Sequence, residues 1–338
     1  MIKSHGSVDV LEYREVDEPI CTPDKIKINI KASSINHLDI WVRKGLQGIN
    51  VPLPIILGSD ASGIVTEIGG NVKSVKIGDK VIIQPGTYSK SCKYVKNKQE
   101  NFSKTYGILG ETESGLQCEY VALNPENVYP MSSNLSFEES ASMQLVFMTA
   151  YQMLVKRAFL KKNETVLILG GTSGIGSAAI QIAKDIGSKI VTTVGEESKF
   201  EYVLNLGADY VFNHYDDDWC HNIKELLGNN KVDVIFEHVG LKTWGISMKL
   251  LGRGGRIVTC GATTGHKVNI DLRHLFSKQQ AILGSSMSDI DTFIAVQEKI
   301  KKNIYVPFID KIYPLSEIKK AHLRVENAQH KGKVVLSI

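Results

Sequence analysis

Residues 31–45, KASSINHLDIWVRKG, place Asn36, His37 and Asp39 within four positions. An amide, an imidazole and a carboxylate this close together are the residue types of a metal site or a proton relay. A metal held by one short segment needs ligands from elsewhere, and no partner set for His37 and Asp39 stands out. The plainer reading of His37 is a loop histidine satisfied by hydrogen bonds. A second chemical stretch is LILGGTSGIGSAAIQIAK at 167–184. Its spacing Gly171-x-Ser173-x-x-Gly176 follows a G-x-G-x-x-G pattern with serine at the middle glycine, and Gly174 adds a flexible point. Backbone N–H groups here, Ile175 included, combine with a helix N-terminus to favour a pyrophosphate.

The elements that must position these residues follow from periodicity. ETVLILG is a strand before the glycines and GIGSAAIQIAKDIG is a helix after them, the context that a dinucleotide fingerprint requires. SKIVTTVG, EESKFEYVLNLG, ADYVFN, KVDVIFEHVG, GGRIVTCGA and QAILGSSM continue a strand–helix alternation. This is the signature of a doubly wound parallel sheet. The first third is β-rich: KIKINIKASSI alternates, and GIVTEIG and DKVIIQPG are strand-length apolar runs. A long polar loop, 86–115, separates these from the rest. Near residue 135 the texture changes, with Ser136 and Glu139 spaced as a helix-capping pair. After residue 290 come a helix, a proline-bearing connection, another helix and a last strand, KGKVVLSI. The expected class is α/β, with a β-rich domain at 1–126 and 291–338 and a Rossmann domain at 127–290.

The end of the second Rossmann strand, VTTVGEESK, bears on the nucleotide. An acid there would bind ribose hydroxyls; a small residue with a cation would suit a 2′-phosphate. Val194 and Gly195 occupy the strand end, followed by Glu196 and Glu197, then Ser198 and Lys199. NADP(H) is favoured over NAD(H), with Lys199 as the phosphate contact. The competing reading makes these charges a solvated helix start.

Composition bounds the rest. The 338 residues carry 43% hydrophobic and 22% charged side chains and a net charge of +4 with signs mixed. Short basic runs read as solvated faces, which argues against nucleic-acid binding. No apolar run approaches the ~18 residues of a membrane span. No secretory apolar region follows the N-terminus. Five scattered cysteines without a CxxC fit a reducing, cytoplasmic setting.

The whole arrangement resembles the medium-chain dehydrogenase/reductase superfamily, through the β-rich start, LGSDASGIVTEIG, the polar loop, the Rossmann unit and the terminal GKVVL. EHVG, with Val239 and Gly240, and GGRIVTCGA, with Gly261, sit where that superfamily carries cofactor-side turns. The resemblance implies that the β-rich domain is GroES-like. In the zinc alcohol dehydrogenase branch, three ligand positions correspond to Asn36, Ser59 (in Gly58-Ser59-Asp60) and about Leu145, none a ligand of that kind. The four structural-zinc positions correspond to Ser89, Cys92, Val95 and Ser103, and the hydroxyl relay to Leu38. The chain therefore resembles the zinc-independent quinone oxidoreductases and reductases of conjugated carbonyls, enoyl-CoA thioesters included, with no zinc. Their N-x-x-D-x-Y segment maps onto Asn36, Asp39 and Trp41, with tryptophan in place of tyrosine. The resemblance makes Asn36 the polar group near nicotinamide and substrate carbonyl, and Asp39 a structural acid. It lets His37 contact the pyrophosphate or donate a proton. Thr149 resembles a nicotinamide-amide contact; its alternative is a helix-interior threonine bonded to its own backbone. Arg273, His274 and Lys278 suit a CoA phosphate or, more simply, form a solvated helix face. A homodimer or homotetramer is expected by analogy. Two competitors remain: an alcohol or aldehyde dehydrogenase with non-standard metal use, and an NAD(P)-binding protein without turnover.

Overall fold

The computed structural model describes residues 1–45, 48–228 and 231–338. The chain divides into two compact units, Met1–Val146 with Ser288–Ile338, and Phe147–Met287. In chain order the first unit holds β1 (Ile26–Ile35), β2 (Asp60–Ile68), β3 (Lys80–Ile83), β4 (Gly86–Thr87), β5 (Gly107–Ile108), β6 (Tyr120–Leu123) and β7 (Val128–Pro130). The second holds β8 (Thr165–Ile168), β9 (Lys189–Val194), β10 (Tyr210–Asn213), β11 (Val232–Glu237), β12 (Leu251–Thr259) and β13 (Ala281–Gly284). The chain then returns to the first unit for β14 (Ile309–Pro314) and β15 (Lys333–Ser337).

Among the described residues, the main sheet of the first unit runs β14-β15-β1-β2-β3-β7, with β6 also on β1. Ile26, Ile28 and Ile30 point into the core while Lys27, Asn29 and Lys31 are half-buried, the alternation that the sequence shows. From Ala32 onward the alternation stops and every residue is buried. Here helices cover β1: Ala32 packs in a cluster with Phe137 and Ala141, and Ile35 in one with Ile318, Ala321 and Val325. Ser33 and Ser34 lie in that doubly covered stretch, and both bond Asp60. The unit extends past residue 126 because β7 pairs with β3 and the helix Phe137–Ala141 packs on β1 and β2. That helix starts as a capping box: the Ser136 hydroxyl accepts the Glu139 N–H and the Glu139 carboxylate accepts the Ser136 N–H.

In the second unit all strand pairs are parallel, in the order β10-β9-β8-β11-β12-β13. The first strand in the chain, β8, lies inside the sheet. The chain winds outward through β9 and β10, then crosses back to build β11 to β13 on the other side. This is the doubly wound order, and its switch point lies between β8 and β11. Helix Gly174–Ile186 connects β8 to β9, and its buried face, with Ala179, Ile180 and Ala183, covers the sheet.

Candidate active site

In the first unit the chemistry gathers where β1 ends. Asn36 is the N-cap of the helix His37–Lys44, so the segment passes from strand directly into helix. Asp39 accepts the Asn36 N–H (2.7 Å) and the Gly58 N–H (2.9 Å), one on each carboxylate oxygen. It thereby ties the helix start to the turn before β2, the structural role expected of it. Burial pushes the Asp39 carboxyl up to about 7, against the pull of those N–H groups and of Lys333.

The Asn36 side chain meets two charged groups. Its Nδ2 donates to Asp60 Oδ2 (2.8 Å), and its Oδ1 accepts from Lys333 Nζ (2.5 Å). Lys333 also reaches Asp60 Oδ2 (3.1 Å). Asp60 further accepts the Ser34 hydroxyl (3.3 Å) and the backbone N–H of Leu145 (2.8 Å). Asp60 is wholly buried and the Lys333 side chain is only 5% exposed, so this is a closed ion pair surrounded by donors. The β1–β15 register sets Ile35 opposite Val334, which brings Lys333 beside Asn36. Sequence reasoning selected Asn36, treated Asp60 only as the neighbour of a missing ligand, and missed Lys333. A lysine opening the apolar run VVL was the available signal.

The other zinc-branch positions hold no free donors. The Ser59 hydroxyl donates to the Leu109 carbonyl (2.8 Å), and Leu145 contributes its backbone N–H alone to the cluster. In the polar loop the Ser103 hydroxyl beside Cys92 holds that thiol below its ordinary range. Ser89 bonds Ser91, and Val95 lies in the short helix Lys93–Lys96. Among the described residues no group of three or more His, Cys, Asp or Glu side chains is arranged to hold a metal ion. His37 is the first residue of its helix, half-buried, with its ring edge-on to Trp41 at 5.1 Å.

The remaining candidates belong to the second unit. Thr149 is buried in the helix Gln144–Tyr151, and its hydroxyl donates to Met287 Sδ at 3.6 Å. The glycine turn follows β8 directly. Gly170 has φ +64°, and a Cβ on Gly176 would collide with the Gly170 carbonyl oxygen. Ser173 is the helix N-cap: its hydroxyl accepts the Gly176 N–H (3.0 Å) and donates to the Gly170 carbonyl (2.8 Å). The serine hydroxyl therefore shapes the turn. Helix geometry leaves the N–H groups of Gly174 and Ile175 without an intrahelical carbonyl, at the positive end of a 13-residue helix. A tight glycine turn packed on its own backbone, with two N–H groups left at the helix start, fits a dinucleotide pyrophosphate.

Glu237 builds the next turn. It is buried at the end of β11, and its carboxylate accepts the N–H groups of Val239 (2.6 Å) and Gly240 (3.0 Å) and the hydroxyls of Thr243 and Ser247. Those two N–H groups are thus spent inside the protein, and the Val239 carbonyl accepts the hydroxyl (2.7 Å) and the N–H (2.8 Å) of Thr264. The Gly261 carbonyl accepts the Thr259 hydroxyl (3.2 Å). His238 is buried with Nε2 at 2.8 Å from the Leu169 carbonyl, and burial lowers its pKa. At the end of β9, Gly195 precedes the turn Glu197–Lys199, which contains Ser198. Lys199 is buried, with Nζ 3.0 Å from Glu196. Arg273 and His274 are exposed on the helix Leu272–Ser277, where Arg273 forks onto Asp271 (3.0 and 2.8 Å). That pairing is the solvated-face reading of the cluster.

Comparison with known proteins bears on both units. The alcohol dehydrogenase GroES-like domain matches residues 22–133, and the zinc-binding dehydrogenase family matches residues 174–302. The crotonyl-CoA carboxylase/reductase of Cereibacter sphaeroides is 28% identical, over 97% of this chain and 83% of its own. The human quinone oxidoreductase is also 28% identical, over 98% of this chain and 94% of its own. A solved structure described as an NAD-dependent alcohol dehydrogenase is 34% identical, covers 100% of this chain and 98% of that one, and has a TM-score of 0.96. Matched in both units and aligned along nearly its whole length, the chain belongs to the medium-chain dehydrogenase/reductase superfamily.

Proposed function

We propose that the protein is a zinc-independent, NAD(P)H-dependent reductase of quinones or α,β-unsaturated carbonyl compounds, enoyl-CoA thioesters included. The observation that carries this reading is the Asn36–Asp60–Lys333 cluster. Where the zinc branch has its first ligand, Asn36 bonds a buried ammonium. A divalent ion held by Asn36 would stand against that like charge, beside a carboxylate the lysine already neutralises. The donor set does not fit catalytic zinc.

Bound NAD(P)H would supply a hydride. A conjugated electrophile is already activated, so positioning and one hydrogen bond replace a Lewis acid. An amide nitrogen carries two N–H groups, and Asp60 takes one of those on Asn36. The other is the group assigned to the substrate carbonyl, while Lys333 and Asp60 hold the amide in one orientation. His37 is retained as a candidate proton donor or pyrophosphate contact. Thr149 gives its proton to a thioether, a weak acceptor readily exchanged for a carboxamide oxygen. The N–H groups of Gly174 and Ile175 are assigned to the pyrophosphate, and Lys199 to a 2′-phosphate, which favours NADP(H).

Likeness to the NAD-dependent alcohol dehydrogenase supports a second reading, alcohol or aldehyde chemistry with NAD(H). One experiment separates the two. NADPH and NADH oxidation is followed against quinones, enones, crotonyl- and acryloyl-CoA, and aldehydes, with metal content measured on the same sample. Turnover of conjugated acceptors without bound zinc is expected. Turnover confined to aldehydes, or lost on chelation and restored by zinc, overturns the proposal.

A further inference from the structure

We infer that His214 is a second reader of the cofactor's 2′-phosphate, making the choice of NADPH over NADH depend on pH; the inference rests on the assignment of Lys199 above.

The placement comes from the sheet. Asn213, the last residue of β10, pairs in register with Val194, the last residue of β9. The next N–H, of His214, donates to the Val194 carbonyl (2.9 Å). His214 is thereby fixed beside Gly195, at the strand ends where a parallel sheet binds nucleotides. A Cβ on Gly195 would stand 3.4 Å from His214 Nε2 and 3.0 Å from Tyr215 Cε2. Glycine lets both rings approach this corner closely, and a ring nitrogen lies beside it. Lys199 lies on the same corner, from the turn after β9.

The charges around His214 set the sign. Burial, then the positive charge of Lys199, holds its imidazole below the ordinary range, so it is neutral at neutral pH. Tyr215 packs against it edge-on with ring centroids 4.6 Å apart. Glu196 is paired with Lys199 (3.0 Å), and Asp216 is bonded to the Asn213 amide (2.9 Å). A phosphate dianion on this corner would face Lys199 and His214 together. It would offset the lysine's repulsion and favour the imidazolium, so NADPH binding takes up a proton and NADH binding does not. The preference for NADPH therefore rises as pH falls, until the phosphate itself protonates near about 6.

The test uses the full chain. Dissociation constants of NADPH and NADH are measured by calorimetry from pH 8 to pH 6.5, for the parent and for His214→Gln. The His214 ring proton is followed by NMR with 2′,5′-ADP and with 5′-AMP. In the parent, the ratio of NADH to NADPH dissociation constants should grow by roughly threefold over this range. In His214→Gln it should stay nearly flat. The His214 pKa should rise with 2′,5′-ADP and not with 5′-AMP. A parent-like slope in His214→Gln, or an unmoved resonance with 2′,5′-ADP, overturns the inference and leaves the Lys199 assignment standing. Equal affinity for the two cofactors at every pH overturns both.

Discussion

Asn36, Asp60 and Lys333 lie 24 and 273 residues apart in the chain, whereas the turn from Gly170 to Gly176 is a single strand–helix joint. The first region is a closed set of charges and amides whose partners are all inside the unit. The second is mostly backbone, packed so closely that only glycine fits at Gly176. The first region's weak point is therefore an unpaired buried charge, and the second's is a single added carbon.

Lys333→Met gives the largest expected effect. It leaves the Asp60 carboxylate buried with no counter-charge, a loss of about 3–5 kcal/mol in unfolding free energy. Urea denaturation of the parent, Lys333→Met and Lys333→Met/Asp60→Asn measures this. The double variant should recover part of the loss, because the two sites share one interaction. A single-variant loss below about 1 kcal/mol would mean the pair is solvated and the closed description is wrong.

Gly176→Ala probes the other region. The added Cβ meets the Gly170 carbonyl, so the turn must shift, at about 1–3 kcal/mol. Cofactor affinity should fall at least tenfold, because the N–H groups of Gly174 and Ile175 move with the turn. Lys333→Met, where it folds, should keep cofactor affinity within about twofold, since every bond its ammonium makes lies in the other unit. Equal losses of affinity in the two variants would erase the distinction between the regions.

A subtler contrast is electrostatic. Asp39 has its folded pKa raised from 3.8 to about 7, so the folded state keeps a proton that the unfolded chain has lost, and stability from this group falls as pH rises from about 4 to 7. His322, buried in the helix Ile318–Glu326, has its folded pKa lowered from 6.5 to about 3, first by burial and then by the Arg43 charge. Its contribution has the opposite sign, falling as pH drops below about 6.5. Between about 4 and 6.5 the two slopes cancel. Asp39→Asn should uncover the histidine: relative to the parent, its stability should rise with pH by about 1 kcal/mol per unit across that window. A parent–variant difference independent of pH would remove the raised Asp39 carboxyl from the account.

The two regions also differed in how far the sequence disclosed them. The glycine turn was legible because strand, glycines and helix are contiguous, and the spacing is itself the geometry. Asp39 as a structural acid came from the resemblance, and the bonds it makes to Asn36 and Gly58 were not legible. Nor was Lys333, because what gives it a role is the β1–β15 register. Ser173 was legible as a member of the glycine pattern, but that its hydroxyl caps the helix was not. Val239 and Gly240 were selected from their motif, but the carboxylate that takes their N–H groups, Glu237, became visible only once the turn was closed. His214 escaped notice because its importance lies beside Gly195, across a strand pair. Local patterns announce backbone sites, while side-chain clusters assembled by sheet register stay hidden until the pairing is known.

The smallest expected effect sharpens the nucleotide end of the comparison. Lys199 pairs with Glu196 at 3.0 Å, and the Glu196 side chain is 57% exposed while that of Lys199 is only 9% exposed. An incoming phosphate must compete with that carboxylate for the ammonium. An ion pair open to water on one side is weak, so the competition is slight. Glu196→Gln should tighten NADPH binding by about two- to threefold and leave NADH unchanged, whereas Lys199→Ala should weaken NADPH by roughly tenfold and again spare NADH. Opposite signs on one nucleotide and silence on the other are what a phosphate contact requires. If Glu196→Gln weakens NADH, the carboxylate is holding the ribose hydroxyls, and the nucleotide end of this chain is built for NAD(H).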